Sequence, residues 1–142
     1  MKVVADTNVF ISALLFGGLP GGFLDLALLG VFSLAISPAL LHELDEKLRS
    51  KFELPTEDAA VVRQKLLSVA ELVTPNLTLE VVADDPDDNR VLECAVEANA
   101  DYIVSGDRHL RKMKQYGGIP VLTVRQFLDL IAPEITDIAG QN

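Results

Sequence analysis

Residues 85–107 read DPDDNRVLECAVEANADYIVSGD, and this stretch decides the fold. An acidic turn with a proline comes first, and apolar residues then recur at helical spacing over about residues 88–99. The short apolar run YIVS has the composition of a buried strand, and Asp107 follows it closely. A helix that leads into a buried strand indicates an α/β domain built on a parallel sheet.

The rest of the chain repeats this alternation of strands and helices. We predict further strands at residues 2–5, 32–37, 72–75 and 120–124. We predict further helices at residues 9–16, 21–30, 38–50, 55–72, 107–114 and 124–131. Ser37 and Thr56 are the predicted N-caps of two of these helices, the first of them followed by a proline. This order of elements favours a parallel sheet with helices on both faces.

The composition sets limits on domains and partners. A chain of 142 residues with 49% hydrophobic residues suits one well-filled domain, which we place at residues 1–134, followed by a frayed tail at 135–142. The 21 acidic and 12 basic residues give a net charge of −9, which argues against broad attraction to nucleic acid or to an anionic membrane. An anionic substrate therefore requires a metal ion or a local basic patch.

The single cysteine and the apolar segments favour a cytoplasmic protein. Cys94 cannot form an internal disulfide, and its helical surroundings predict a core residue rather than a nucleophile. The first residues lack the basic n-region and the small-residue cleavage site of a signal peptide. The longest apolar stretch, residues 24–36, contains Asp25 and Gly30 and is too short to span a bilayer. We therefore expect a cytoplasmic chain without a membrane segment.

Acidic residues fall at the ends of the predicted strands. Asp6 follows the first strand, Asp107 follows the YIVS strand, and Asp88 opens the helix that leads into that strand. Because sites in open α/β sheets form beyond the carboxyl ends of the strands, these three acids should meet at one edge. Glu43 lies at the boundary of a leucine stripe on a predicted helix, and by pattern alone it is no better a candidate than its acidic neighbours.

The acidic turn also has a purely structural explanation. We interpret Asp84 and Asp85 as parts of a solvated loop, and Asp87 as the N-cap of the following helix. Asp88 would then lie in the first helical turn, where acids favour the helix dipole. Pattern alone leaves open whether Asp88 stabilises the helix or binds a ligand.

Four segments, taken in order, resemble the PIN domain family. They are VVADTNVFISALL at 3–15, SPALLHEL at 37–44, the stretch at 85–107, and VLTVRQFL at 121–128. The resemblance is nearest to bacterial and archaeal PIN proteins classed as toxin components of toxin–antitoxin pairs, similar to VapC. It covers almost the whole chain and implies a three-layer α/β/α sandwich around a central parallel sheet.

The resemblance implies an acidic quartet with two supporting polar residues. The quartet carries over to Asp6, Glu43, Asp88 and Asp107 as catalytic residues and metal ligands, and the supporting residues are Asn8 and Ser105. Two carboxylates about 6 Å apart repel by on the order of 3 kcal/mol at an effective dielectric near 20. Oxygen ligands crowded in this way suit Mg²⁺ or Mn²⁺. The implied activity is metal-dependent endonucleolytic cleavage of RNA.

A basic segment follows the last acid of the quartet. Residues 108–114, RHLRKMK, hold four of the 12 basic residues. We predict that Arg108, Arg111 and Lys112 contact the RNA backbone, with a solvated helix face as the alternative. The resemblance also implies a homodimer and, as a possible further partner, a small antitoxin protein that inhibits the site.

Two other functions stay open at this point. A phosphatase or receiver-like domain would carry acids at strand ends, but Asn8 stands where a dehalogenase-like phosphatase has its second aspartate, and the last strand offers no receiver lysine. A non-catalytic PIN-fold binding module would usually have lost one or more acids of the quartet, and all four are present.

Overall fold

Six strands form the sheet at the centre of the computed structural model, which describes residues 1–83 and 85–140 and, for residues 134–140, the backbone alone. The strands are β1 (Lys2–Ala5), β2 (Ser33–Ile36), β3 (Ala70–Leu72), β4 (Tyr102–Val104), β5 (Gln115–Tyr116) and β6 (Ile119–Leu122). Their order across the sheet is β3-β2-β1-β4-β6-β5. Neighbours from β3 to β6 are parallel, and β5 pairs with β6 antiparallel.

Seven helices within the same residues flank the sheet on its two faces. They are α1 (Thr7–Leu15), α2 (Gly18–Leu28), α3 (Pro38–Ser50), α4 (Thr56–Leu67), α5 (Pro86–Ala98), α6 (Arg108–Met113) and α7 (Val124–Gly140). The predicted three-layer sandwich is confirmed. The backbone of α7 stays helical past the predicted boundary at residue 134 and enters the segment predicted as a frayed tail. Gln141 and Asn142 lie outside the described residues.

The helix predicted at 55–72 and the strand predicted at 72–75 are both wrong in their boundaries. The helix α4 ends at Leu67, and β3 occupies residues 70–72. Apolar residues in this region fit either structure, and pairing with β2 decides between them: Ala70 aligns with Leu34, and Val73 N–H donates to Ile36 O over 2.9 Å. Thr56 is the first helical residue rather than the cap.

The predicted last strand was incomplete, because a short hairpin joins it. β5 turns into β6 through Gly117 and Gly118, which have φ angles of +58° and +81°. Two-residue hairpin turns require such angles, and glycine adopts them without steric strain. The hairpin makes the sheet mixed at one edge and parallel elsewhere.

The core lies where the sheet meets its helices. Central strands are fully buried at Val4 and Ile103, and the predicted leucine stripe of α3 is buried at Leu40, Leu41, Leu44 and Leu48. Cys94 is also fully buried, and burial raises the pKa of its thiol to about 12. The prediction that Cys94 is a core residue is therefore confirmed.

In the part of the chain described, no single helix has the length and apolar character needed to cross a membrane. The helices α1 and α2 reach that length only as a pair, and the chain bends by 100° between them.

An irregular segment, residues 73–83, leads from β3 toward α5 and is held by side chains of that helix. Backbone N–H groups donate to side chains on α5: Asn76 to Glu97, Leu79 to Glu93, and both Val81 and Val82 to Asn89. Asn89 is 4% exposed and also donates its amide to Val82 O over 3.0 Å. Its three hydrogen bonds fix the approach of the chain to the acidic turn.

We expect Asn89→Ala to lower the free energy of unfolding by about 3 kcal/mol, because it leaves buried backbone groups without partners. Urea denaturation of the metal-free protein measures this change. The control is Asn76→Ala, which truncates an exposed side chain and should change stability by less than about 0.5 kcal/mol. Equal stabilities of the two variants would contradict the role given to Asn89.

Candidate metal centre

The site lies where the strand order of the sheet reverses. After β1 the chain moves to β2 on one side, whereas β4 and β6 lie on the other, so the carboxyl ends of β1 and β4 flank the switch point. Asp6 and Ser105 come directly after these two strands. Asp6 N–H donates to Val104 O over 3.1 Å, and the Ser105 hydroxyl donates to Asp6 Oδ2. The two strand ends are thereby tied together.

Three aspartates at this edge are the N-caps of helices. Asp6 Oδ1 accepts from Val9 N at the start of α1 over 3.1 Å. Asp107 Oδ1 accepts from two backbone N–H groups of α6 over 2.8 and 3.3 Å. Asp85 Oδ1 accepts from Asp87 N at the start of α5 over 3.2 Å. Capping satisfies backbone donors and also fixes each carboxylate in one orientation.

The capping of α5 corrects two predictions about the acidic turn. Asp85 is the cap of this helix, not part of a solvated loop, and Asp87 lies exposed in the first helical turn. Pro86 occupies the first helical position, which proline favours because its missing N–H would have had no helical partner. The prediction for Asp84 falls outside the described residues.

Carboxylate oxygens of Asp85, Asp88 and Asp107 all lie within 4.8 Å of one another. Asp88 is 6% exposed, and its Oδ2 atom has no hydrogen-bond partner among the described residues. A buried acceptor without a partner, on a residue whose carboxylate lies close to two others, is an arrangement that a cation would satisfy. The all-oxygen donor set fits Mg²⁺ or Mn²⁺ rather than zinc. We call these three residues the aspartate cluster.

Burial and crowding change the proton affinity of these acids. Burial, followed by the hydrogen bond and charge of Asp107 and the charges of Asp85 and Asp6, raises the pKa of Asp88 to about 8. Burial also raises the pKa of Asp6, although the Ser105 hydroxyl and backbone N–H groups oppose it. For Asp107, burial is outweighed by hydrogen bonds from Asp88 and from backbone N–H groups, which lower its pKa. Without a metal, a proton on Asp88 therefore relieves the repulsion.

Glu43 lies apart from the aspartate cluster. Its Oε1 atom accepts from the Thr7 hydroxyl over 2.9 Å and from the Lys47 ammonium over 2.8 Å. The ammonium also donates to Asn8 Oδ1 over 3.4 Å. The structure thus brings Asp88 and Asp107 together, ties Asp6 to them through Ser105, and gives Glu43 a basic partner that the sequence analysis missed.

The basic segment, residues 108–114, begins directly after Asp107 of the aspartate cluster. Leu110 is fully buried and anchors α6, whereas Arg108, Arg111 and Lys112 are exposed. A groove of about 630 Å³ runs between α6 and the segment before α5, and it is lined by Val81, Val82, Ala83, His109, Lys112 and Met113. Positive charge and an open groove therefore lie directly after Asp107.

The sequence model of the PIN domain matches residues 2–109, a range that includes every acid described above. This chain belongs to the PIN domain family. An uncharacterised protein of Methanocaldococcus jannaschii, MJ1680, is 35% identical over 119 residues, which are 80% of this chain and 76% of that protein. The phosphatase and receiver-like alternatives thus give way to membership of the PIN family.

Solved structures share the PIN fold of this chain. VapBC2 from Rickettsia felis, crystallised with a DNA fragment from its promoter, superposes with a TM-score of 0.60 at 17% identity, over 85% of this chain and 97% of that one. PAE2754 from Pyrobaculum aerophilum superposes with a TM-score of 0.61 at 18% identity, over 93% and 89%. At these identities the similarity shows the fold.

Two residues of this PIN site escaped the sequence analysis. Asp85 carried a usable signal, since a residue before a proline at a helix start is a cap candidate, as at Ser37 and Pro38. Lys47 lies one helical turn after Glu43, which predicts an ion pair. Its contacts with Thr7 and Asn8 depend on how α1 packs against α3, and no local pattern contains them.

We expect the metal-free protein to lose thermal stability as pH rises from 5 to 8. A raised folded-state pKa means that Asp88 binds its proton more tightly in the folded chain than in the unfolded one. The stabilisation from this proton is complete below the unfolded pKa near 3.8 and is lost as the pH approaches 8. Melting temperatures in EDTA measure this slope. Asp88→Asn should flatten it, and Asp87→Asn, an exposed neighbour, should leave it unchanged. Equal slopes for all three chains would contradict the shift.

Proposed function

We propose that this PIN domain is a metal-dependent endoribonuclease that hydrolyses RNA phosphodiester bonds. The observation that carries the proposal is the aspartate cluster at the switch point of the sheet, in which carboxylate oxygens of Asp85, Asp88 and Asp107 lie within 4.8 Å of one another and the buried Oδ2 atom of Asp88 has no hydrogen-bond partner among the described residues. Structural acids normally end in hydrogen bonds or ion pairs. A cluster of three close carboxylates that includes a buried, unpartnered oxygen is what a cation-binding site requires.

Each acid has a separate part in this proposal. Asp85, Asp88 and Asp107 would hold Mg²⁺ or Mn²⁺. The bound ion would activate a water molecule and neutralise negative charge on the leaving oxygen. Asp6 lies beside them, as a further ligand or as the group that orients Ser105. Ser105 accepts from Asp107 N over 3.0 Å, so it links the two strand ends to the cap of α6. Glu43 and Asn8 would hold water molecules or carboxylates in position on the side of the site formed by α3.

The exposed basic face of α6 is the proposed docking surface for RNA. On a chain with a net charge of −9, phosphate groups need local positive charge to approach a site of carboxylates. Arg108, Arg111 and Lys112 provide it next to Asp107, and the groove beside α6 offers room for a strand. These contacts would position the backbone without selecting a sequence.

We also propose a toxin role for this chain, with a small antitoxin protein as its inhibitor. The fold similarity to VapBC2 motivates it, and an acidic site would favour a partner that inserts a basic side chain. A homodimer and a cytoplasmic location belong to the same proposal.

A non-catalytic binding module is the second candidate, and one observation favours it. Three of the acids cap helices, so they contribute to the fold whether or not they bind metal. Their presence is therefore compatible with a domain that binds partners and cuts nothing. Only an activity measurement separates the two functions.

We expect the chain to cut a mixed RNA pool with Mn²⁺ or Mg²⁺ and to be inactive in EDTA. Asp88→Asn should reduce the cleavage rate by at least about 100-fold, because it removes a charged ligand while retaining a similar shape. Gel analysis of end-labelled RNA measures both effects. The matched control is Asp87→Asn, which makes the same charge change one residue away, on an exposed side chain. Cutting in EDTA, or equal cutting by the two variants, would overturn the mechanism, and no cutting at all would favour the binding module.

Removing two positive charges from α6 should weaken RNA binding. For Arg111→Ala/Lys112→Ala we expect about tenfold weaker binding of single-stranded RNA and a salt slope lower by about 1.4, since each lost phosphate contact accounts for about 0.7. Fluorescence anisotropy at several salt concentrations gives both quantities, with Asp88→Asn as the background that prevents cleavage. Lys51→Ala/Arg125→Ala removes the same charge from other exposed positions and should leave the slope unchanged.

A further inference from the structure

Lys47 is a basic residue placed within an acidic site. Its ammonium lies 2.8 Å from Glu43 Oε1, 3.3 Å from Thr7 Oγ1 and 3.4 Å from Asn8 Oδ1. These three oxygen atoms come from two helices, α1 and α3, whose packing forms the contact. Lys47 is 29% exposed and Glu43 16%, so the pair is largely removed from water.

The surroundings of Lys47 hold its ammonium in place. The Glu43 carboxylate supplies an opposite charge at 2.8 Å. The Thr7 hydroxyl and the Asn8 amide oxygen, both on α1, also contact the ammonium and restrict where it can move.

Positive charge is distributed unevenly across the site. In the described part of the chain, the aspartate cluster makes no ion pair with lysine or arginine, and one of its buried oxygen atoms is unpartnered. Glu43, in contrast, accepts at its Oε1 atom from both a hydroxyl and an ammonium. The aspartate cluster thus lacks a lysine or arginine partner among the described residues, whereas Glu43 has one.

We infer that the Lys47 ammonium occupies the place at Glu43 that a second divalent ion would otherwise take, so that the chain binds one divalent ion, at the aspartate cluster. This inference rests on the metal-dependent site of the proposed function. An ammonium is a monovalent cation of fixed position, and it neutralises Glu43 without the dehydration that Mg²⁺ resists. A second ion at Glu43 Oε1 would have to displace the ammonium, which lies 2.8 Å from that atom.

Counting bound Mn²⁺ ions tests the inference. Electron paramagnetic resonance of free Mn²⁺, measured at neutral pH and low salt, gives the number of ions per chain. We expect one ion for the native chain, two for Lys47→Met and one for Lys47→Arg, which retains the positive charge. Lys51→Met is the control, because it removes a lysine one turn further along, where the side chain is exposed. It should bind one ion.

The double variant Lys47→Met/Glu43→Gln locates the additional ion. Its count should return to one, since the second ion needs the carboxylate that Lys47 releases. Two ions on the native chain, one on Lys47→Met, or two on the double variant would each overturn the inference. Thermal melts establish that the variants are folded, and Lys47→Gln, which can still donate to Thr7 and Asn8, carries the same expectation if Lys47→Met is unfolded.

The measurement contains no RNA, so it is independent of cleavage. A chain that binds one Mn²⁺ and gains a second in Lys47→Met, but cuts no RNA, would retain this inference and lose the proposed nuclease function. A chain that cuts RNA with two native ions would lose this inference and retain the function.

Discussion

Hydrogen bonds from helix N-termini to aspartate side chains are the interaction on which this site depends. Asp6, Asp85 and Asp107 each give one oxygen to the first turn of a helix, and those three helices begin at the same edge of the sheet. The helix dipoles favour negative charge there, so like charges gather where the backbone helps to hold them. The remaining oxygens are left available for other partners, and for Asp6 that partner is Ser105.

Repulsion among these acids is relieved in two different ways. On the side of β4 and α5, Asp88 has a raised pKa and an unpartnered oxygen, so a proton or a cation relieves the repulsion there. On the side of α3, Lys47 neutralises Glu43 directly. The carboxylates around Asp88 stay close together because the helix caps and the buried strands restrict how far they can move apart.

Most of the meeting of acids at this sheet edge was predictable from the sequence, because it follows from the order of strands and helices. Asp6 and Asp107 follow buried strands, and parallel strands end at one edge, so their convergence required no distances. Asp85 was missed because the acidic turn was interpreted by charge and not by the proline that follows it. The contacts of Lys47 with Thr7 and Asn8 were beyond reach, since these residues are 40 and 39 positions away in sequence and meet Lys47 only when α1 packs on α3.

Capping by aspartate also bears on how this domain can change over evolutionary time. A helix cap needs an oxygen acceptor and no charge, so asparagine or serine can serve at Asp6, Asp85 or Asp107 with little loss of structure. A metal site, in contrast, fails when those charges are lost. A single nucleotide change from aspartate to asparagine can thus remove charge from this edge of the sheet while the helix caps, and with them the fold, remain.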